Sequence, residues 1–238
     1  MATEIETRAA VSCWACHGAL GQNDHFCGAC GKVQPATATD FFSFFGLPRR
    51  LNLDVAALER EFYRLSRKLH PDVYARAGAQ EQHWSLEKSS QLNDAYRALK
   101  DPIGRTAYLL KLEGVQLEEQ SKAATDQARQ TGEEKKQAVP PDLLEEVFEM
   151  NIQLEELRAA KKLGEDDTEV RRELEDHKQR FEEKLGALAT ELQGYWSEWD
   201  GAGGEAERIR VREKMVDLLN RRSYIRNLVR DVNEVLGN

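Results

Sequence analysis

Two short constellations in this sequence are of kinds that do chemistry. The first is Cys13, Cys16, Cys27 and Cys30, spaced C-x2-C-x10-C-x2-C, and the rest of the chain has no cysteine. Each Cys-x-x-Cys pair forms a knuckle whose two thiolates reach one ion, and two knuckles complete a tetrahedron, so the pattern predicts a structural zinc site. An iron site of rubredoxin type would use the same four thiolates, and on the residues alone both ions stay open. A redox dithiol is usually a single Cys-x-x-Cys at a helix start beside a strand, which is absent here. Four thiolates also close the coordination shell and leave no position for metal catalysis. Gly28 and Gly31 suit the tight turns of the second knuckle. With the thiolate set complete, His17 and His25 read as solvated loop histidines.

The second constellation is His70-Pro71-Asp72, preceded by Arg60, Arg64, Arg67 and Lys68. For His70 to act as a catalytic base, a nucleophile or metal must lie within hydrogen-bond reach. No G-x-S-x-G, glycine-rich phosphate loop or H-E-x-x-H is present to supply one. An ordinary turn would explain the tripeptide, Pro71 stopping a helix and Asp72 bonding locally. It would not explain four basic residues at helical spacing just ahead. A docking tip at the end of a cationic helix is the other reading that the residues leave open.

The elements that must position these groups follow from composition and periodicity. With 34 basic and 42 acidic residues the net charge is −8, which argues against bulk nucleic-acid binding. Charged residues make up 32% and the mean hydropathy is −0.66, as in a long-helix protein with much solvated surface. No run approaches the roughly 18 apolar residues of a membrane span. The start, "MATEIETRAAVS", has no apolar export core, and its early glutamates argue against a transit peptide. A reducing, cytoplasmic setting is expected, which turns the cysteines toward metal rather than disulfides.

After the cysteine-rich head and a short "PATATD" linker, "DFFSFFGLP" predicts a short helix stopped by Gly46 and Pro48. Asp54 then caps a helix whose Val55, Leu58, Phe62, Leu65 and Leu69 form one apolar stripe. That helix ends at His70, because a proline disfavours helical geometry in the residue before it. A second long helix is predicted from about Gln80 to Lys100, with Leu92, Tyr96 and Leu99 inward, and Asp101-Pro102 starts a third. The short connection makes the two long helices an antiparallel hairpin with the tripeptide at its tip. Residues 118–138 are polar and read as a flexible segment between halves. Three helices follow, at about 142–162, 167–199 and 205–236. Leu144, Val147, Phe148, Leu154 and Leu157 give the first an apolar face. Val170, Leu174, Phe181, Leu185, Leu188 and Leu192 do so for the second, and Ile209, Val216, Leu219, Ile225, Leu228, Val232 and Leu236 for the third. No strand alternation follows residue 40. The expected fold is all-α: a zinc-binding knuckle domain over 1–37, a helical hairpin domain over 38–114, a polar linker over 115–140 and a three-helix antiparallel bundle over 141–238.

A helix ending in "KLHPD", a loop, then "QLNDAYRALKDPIGRTAYLL" resembles a J-domain, the module that activates seventy-kilodalton heat-shock ATPases. The resemblance covers residues 40–112 and implies that Arg60, Arg64, Arg67, Lys68, His70, Pro71 and Asp72 dock onto the chaperone. The chain would itself hydrolyse nothing. The longer stretch "DFFSFFGLPRRLNLDVAALEREFYRLSRKLHPDVYA" is similar to the HscB family, co-chaperones dedicated to iron–sulfur cluster assembly. That similarity implies an HscA-like ATPase as one partner and an IscU-like scaffold as the other, the scaffold held by the C-terminal bundle. "PPDLLEEVFEMNIQLEEL" resembles the family's scaffold-binding helix and "LLNRRSYIRNLVRDV" its closing helix. The implied scaffold face is Leu144, Glu145, Phe148, Glu149 and Ile152, with Tyr224 from the last helix. Glu145 departs from the apolar residue expected there, and 118–138 is longer than expected. The cysteine head resembles the zinc-binding head of the family's longer members. A general J-domain co-chaperone is the alternative, though no Gly/Phe-rich linker or β client domain is visible. A nucleic-acid-binding zinc ribbon would want basic and aromatic residues around the cysteines, where only Lys32, Trp14 and Phe26 stand. Neither nucleic acid nor membrane is expected as a partner.

Overall fold

The computed structural model describes residues 11–21, 23–36, 40–115, 117, 139–164 and 167–237. The expected flexible segment 118–138 and linker residues 37–39 lie outside them. The chain divides into two compact units, Met1–Arg105 and Thr106–Asn238. The cysteine head therefore groups with the hairpin, and the division falls inside a helix rather than at 115.

In the first unit, β1 (Val11–Ser12) and β2 (Ala19–Leu20) pair antiparallel around the first knuckle. Helix α1 (Phe41–Phe44) is capped by Asp40, whose carboxylate accepts from the Ser43 amide, and it ends at Gly46 with φ +66°. Helix α2 (Val55–Leu69) starts at the Asp54 cap, as the sequence predicts. It is followed by a 3-10 turn, Pro71–Tyr74, and by α3 (Ala79–Lys100). The paired residues run in opposite directions along the two helices. Ser85 meets the end of α2 at Leu69, Phe62 stacks on Tyr96 at 4.1 Å, and Glu59 meets Tyr96 and Lys100. That is the predicted antiparallel hairpin. Leu58, Leu65, Leu69, Leu92, Ala95 and Leu99 fill the seam.

Helix α4 (Pro102–Leu112) begins at Asp101-Pro102, Asp101 accepting from the Gly104 amide at 2.5 Å. In the second unit Thr106, Leu109 and Leu110 are buried, and the Trp196 indole donates to the Thr106 hydroxyl at 3.1 Å. Helices α5 (Leu144–Lys162), α6 (Thr168–Gly201) and α7 (Glu205–Leu236) match the predicted bundle within two residues at each end. Asp167 caps α6, and Gly237, at φ +82°, ends α7. Gln153 reaches Glu173 and Glu146 pairs with Lys184, so α5 and α6 are antiparallel. Lys161 bonds the Val235 carbonyl and Arg221 pairs with Asp142, so α5 and α7 run the same way. The up-down-up core holds Val147, Met150, Leu154, Leu157, Leu174, Phe181, Leu192, Met215, Ile225 and Val232. Among the described residues no helix is long and apolar enough to cross a membrane.

Candidate functional site

At the hairpin tip, Pro71 holds His70 at φ −56°, ψ 130°, outside helical geometry. The Val73 amide turns back to the His70 carbonyl at 2.9 Å. The Leu69 carbonyl takes two side-chain donors instead, the hydroxyls of Ser85 and Ser89, each at 2.7 Å. Gln82 ties down the far side of the turn through the Ala75 and Ala77 carbonyls. The backbone of the tip is thus fixed while its side chains face solvent: His70 is 56% exposed and Asp72 90%. The Asp72 amide donates to His70 Nδ1 at 3.3 Å, and the two side chains lie 3.5 Å apart.

The basic residues behind the tip are exposed to different degrees of freedom. Arg60 lies 3.9 Å from Asp54, and Arg67 donates to the Tyr63 carbonyl at 3.1 Å. Arg64 makes two bonds, at 2.5 and 2.7 Å, to Glu61, which hold that carboxyl below its usual range. Lys68 sits 5.7 Å from the centre of the Phe26 ring. Tyr63 and Val73 are exposed on the same part of the hairpin.

The four cysteines converge. Their sulfurs all lie within 4.8 Å of one another, with Cys13–Cys30 at 3.7 Å and Cys16–Cys27 at 3.6 Å. A tetrahedron with ~2.3 Å metal–sulfur bonds has edges of about 3.8 Å, so the set fits a four-thiolate ion. The two knuckles repeat one backbone pattern. In the first, the His17 amide bonds the Cys13 carbonyl and the Cys13 amide the Gly18 carbonyl. In the second, Gly31 bonds Cys27 and Cys27 bonds Lys32. The residue after each pair is left-handed, Gly31 at φ +71° and His17 at φ +59°. Burial raises the Cys13 thiol, but amides of Cys16 and Ala15 and the Gln34 side chain outweigh it and bring it down to about 6. The Gly18 amide lowers Cys16, yet its neighbours Cys30 and Cys27 drive it up to about 12. Four crowded sulfurs that cannot all ionise alone are what a divalent cation would neutralise.

His25 is not the solvated histidine its sequence context suggests. Its Nε2 donates to the Phe44 carbonyl at 2.8 Å, and Nδ1 accepts from Lys88 at 3.3 Å. Burial, then the Lys88 charge, lower its pKa. Lys88 is only 2% exposed, and burial brings it down to about 8. Glu81 is also buried, paired with Lys32 at 2.8 Å. Sequence reasoning missed Glu81, Ser85, Lys88 and Ser89 because charged and hydroxyl residues on a helix read as solvated. Their spacing, 81-84-88 beside 85-89, was the available signal.

On the bundle, α5 is apolar on two sides. Val147, Met150, Leu154 and Leu157 face the core, whereas Leu144, Phe148 and Ile152 form an exposed strip, Phe148 at 68%. Glu145 and Glu149 are exposed on the same helix. Tyr224 does not join this strip as the resemblance implied. It is 6% exposed, a core residue whose phenol is raised by burial.

No family model matches the chain. Its residues are 38% identical over 114 positions to the iron-sulfur cluster co-chaperone protein HscB of Mus musculus, covering 46% of this chain and 49% of that one. They are 43% identical over 91 positions to a co-chaperone protein HscB homolog of Bordetella petrii, covering 38% and 54%. Over these stretches the chain is similar to HscB co-chaperones. It aligns with about half the length of the curated HscB relatives it matches. In fold, the crystal structure of human co-chaperone protein HscB superposes at TM-score 0.66 over 94% of this chain and 98% of that one, at 22% identity. Chaperone HscB from Vibrio cholerae gives 0.54 over 83% and 97%, at 23% identity. The HscB architecture of hairpin followed by bundle accordingly extends over nearly the whole chain.

Proposed function

We propose that this protein is a co-chaperone of iron–sulfur cluster assembly that acts by docking and is not an enzyme. Its J-domain, residues 38–114, stimulates an HscA-like seventy-kilodalton ATPase through His70, Pro71 and Asp72, steered by Arg60, Arg64, Arg67 and Lys68. Its bundle, residues 141–238, presents an IscU-like scaffold on Leu144, Glu145, Phe148, Glu149 and Ile152. The observation that carries the reading is the tip itself: a turn tied down through its backbone, whose His70 and Asp72 side chains meet each other and otherwise face solvent. The exposed strip on α5 supports the second contact, since an apolar row with a carboxylate rim suits a protein surface of matching shape and opposite charge. Holding both partners on one chain raises the effective concentration of scaffold at the ATPase. Zinc is the ion that best suits a closed four-thiolate shell, in a reducing compartment such as the cytoplasm.

The test is ATP turnover by the cognate chaperone with this protein and the scaffold, separately and together. Wild type should stimulate synergistically with the scaffold, and Asp72→Asn should stimulate little while melting at the wild-type temperature. Equal stimulation by the two proteins would refute the role of the tip.

A further inference from the structure

Helix α3 carries an unexpected face. Glu81, Trp84 and Lys88, spaced i, i+3 and i+7, lie along one stripe of its first three turns, and all three are buried. The cysteine head covers them. Lys32 donates to both carboxylate oxygens of Glu81, at 2.8 and 3.0 Å. Trp14 meets Trp84 edge-on, ring centres 5.4 Å apart. His25 accepts from Lys88 while donating to the end of α1 at Phe44. Phe26 lies under Lys68 in the last turn of α2.

Each of these head residues is adjacent to, or two positions from, a cysteine of the sulfur cluster. Among the described residues, the head has two strands of two residues each, and its buried apolar residues are Cys13, Cys27 and Val33. So small a core depends on bound metal for its shape. On α3, Ser85 and Ser89 stand beside the covered stripe and hold the Leu69 carbonyl, one residue before His70.

We propose that the four-cysteine head is a metal-dependent brace for the hairpin, fixing the N-terminal half of α3 and, through Ser85 and Ser89, the turn that carries His70-Pro71-Asp72. Trp14, His25, Phe26 and Lys32 are its positioning residues. Ion binding sets where these four side chains stand, and they set how firmly α3 grips the end of α2. The consequence for chaperone stimulation rests on the function proposed above, whereas the coupling itself does not.

Hydrogen exchange of the full chain, zinc-loaded and then chelated, reads the coupling directly. Chelation should speed exchange roughly tenfold over residues 70–77 and 79–89, the factor that losing an edge-on aromatic pair and its neighbours can produce, and leave α5–α7 unchanged. Faster exchange confined to residues 12–34 overturns the proposal. Lys32→Ala separates the brace from the metal, because all four thiolates remain. With cobalt substituted for zinc, its sulfur-to-metal absorption should match wild type while residues 79–89 exchange faster, and Lys32→Arg should restore protection. Wild-type protection in Lys32→Ala would also overturn the brace. Protection that tracks metal while ATPase stimulation stays absent throughout would instead count against the co-chaperone function.

Discussion

The hairpin unit and the bundle offer different candidate contacts to solvent, and the hairpin adds buried polar contacts to the kind of apolar seam that both have. In the hairpin the exposed element is the polar His70-Pro71-Asp72 turn, and the frame behind it buries Glu81, Lys88 and two serines. In the bundle the exposed element is the apolar row Leu144, Phe148 and Ile152, and the frame is a long seam of leucine, valine and aromatic side chains. The difference teaches how each frame is kept rigid. Helices as long as α6 and α7 bury a long apolar seam, and bonds such as that from Arg171 to the Leu236 carbonyl supplement it. The shorter hairpin fixes its geometry with hydrogen bonds and ion pairs that tolerate few alternatives. Such buried polar contacts set position more than they add net stability.

The sharpest way to break this contrast is on α5, where the two faces are two residues apart. Met150→Ala should destabilise the protein by about 2–5 kcal/mol in urea unfolding, the usual cost of emptying a buried site. Phe148→Ala should cost under about 0.5 kcal/mol while weakening binding of the proposed scaffold partner. A large stability loss for Phe148→Ala would show that the strip is core and remove the contrast. Next in size is a pH effect that the bundle contributes through His177. His177 is buried, and its pKa is lowered from the ordinary 6.5 by burial, then by Arg180 at 2.9 Å, against the opposing pull of Glu146, Glu149 and Glu173. The unfolded chain therefore takes up a proton first as pH falls below about 6.5, so stability present above that pH is lost progressively beneath it. Unfolding of His177→Gln should show a shallower pH slope in that window, and an unchanged slope would assign the loss to other groups, the buried His25 among them. The smallest effect belongs to the head. His17 occupies the left-handed position that Gly31 fills in the second knuckle. His17→Gly should stabilise the metal-loaded protein by roughly 1 kcal/mol, measured as a shift in urea midpoint.

Periodicity carried most of the architecture. The stripe Leu58-Leu65-Leu69, the caps Asp54 and Asp167 and the break at Pro71 each act within a few residues of themselves, so they are legible before any tertiary contact exists. The cysteine spacing was legible for the same reason. What escaped was set by neighbours distant in sequence. His25 and Lys88 are 63 residues apart, and Lys32 and Glu81 are 49 apart. A lone lysine or glutamate on a helix is normally solvated, and nothing local marks these as covered. On α5, apolar spacing could not separate Leu144 and Phe148 from Val147 and Leu154, because a helix apolar on two sides offers either side to the core. Tyr224 failed in the opposite sense, a polar-tipped ring carried by resemblance to a surface that the packing of α7 does not give it.

The stripe along α3 also bears on anyone who would shorten this protein. Cutting before Asp40 to obtain a minimal module would return Glu81 and Lys88 to water, relieving two desolvated charges, but it would strip the indole of Trp84 bare. Such a fragment would keep its helices and gain a sticky flank beside the very tip whose binding it was made to measure, so its apparent affinities would mix two surfaces into one number.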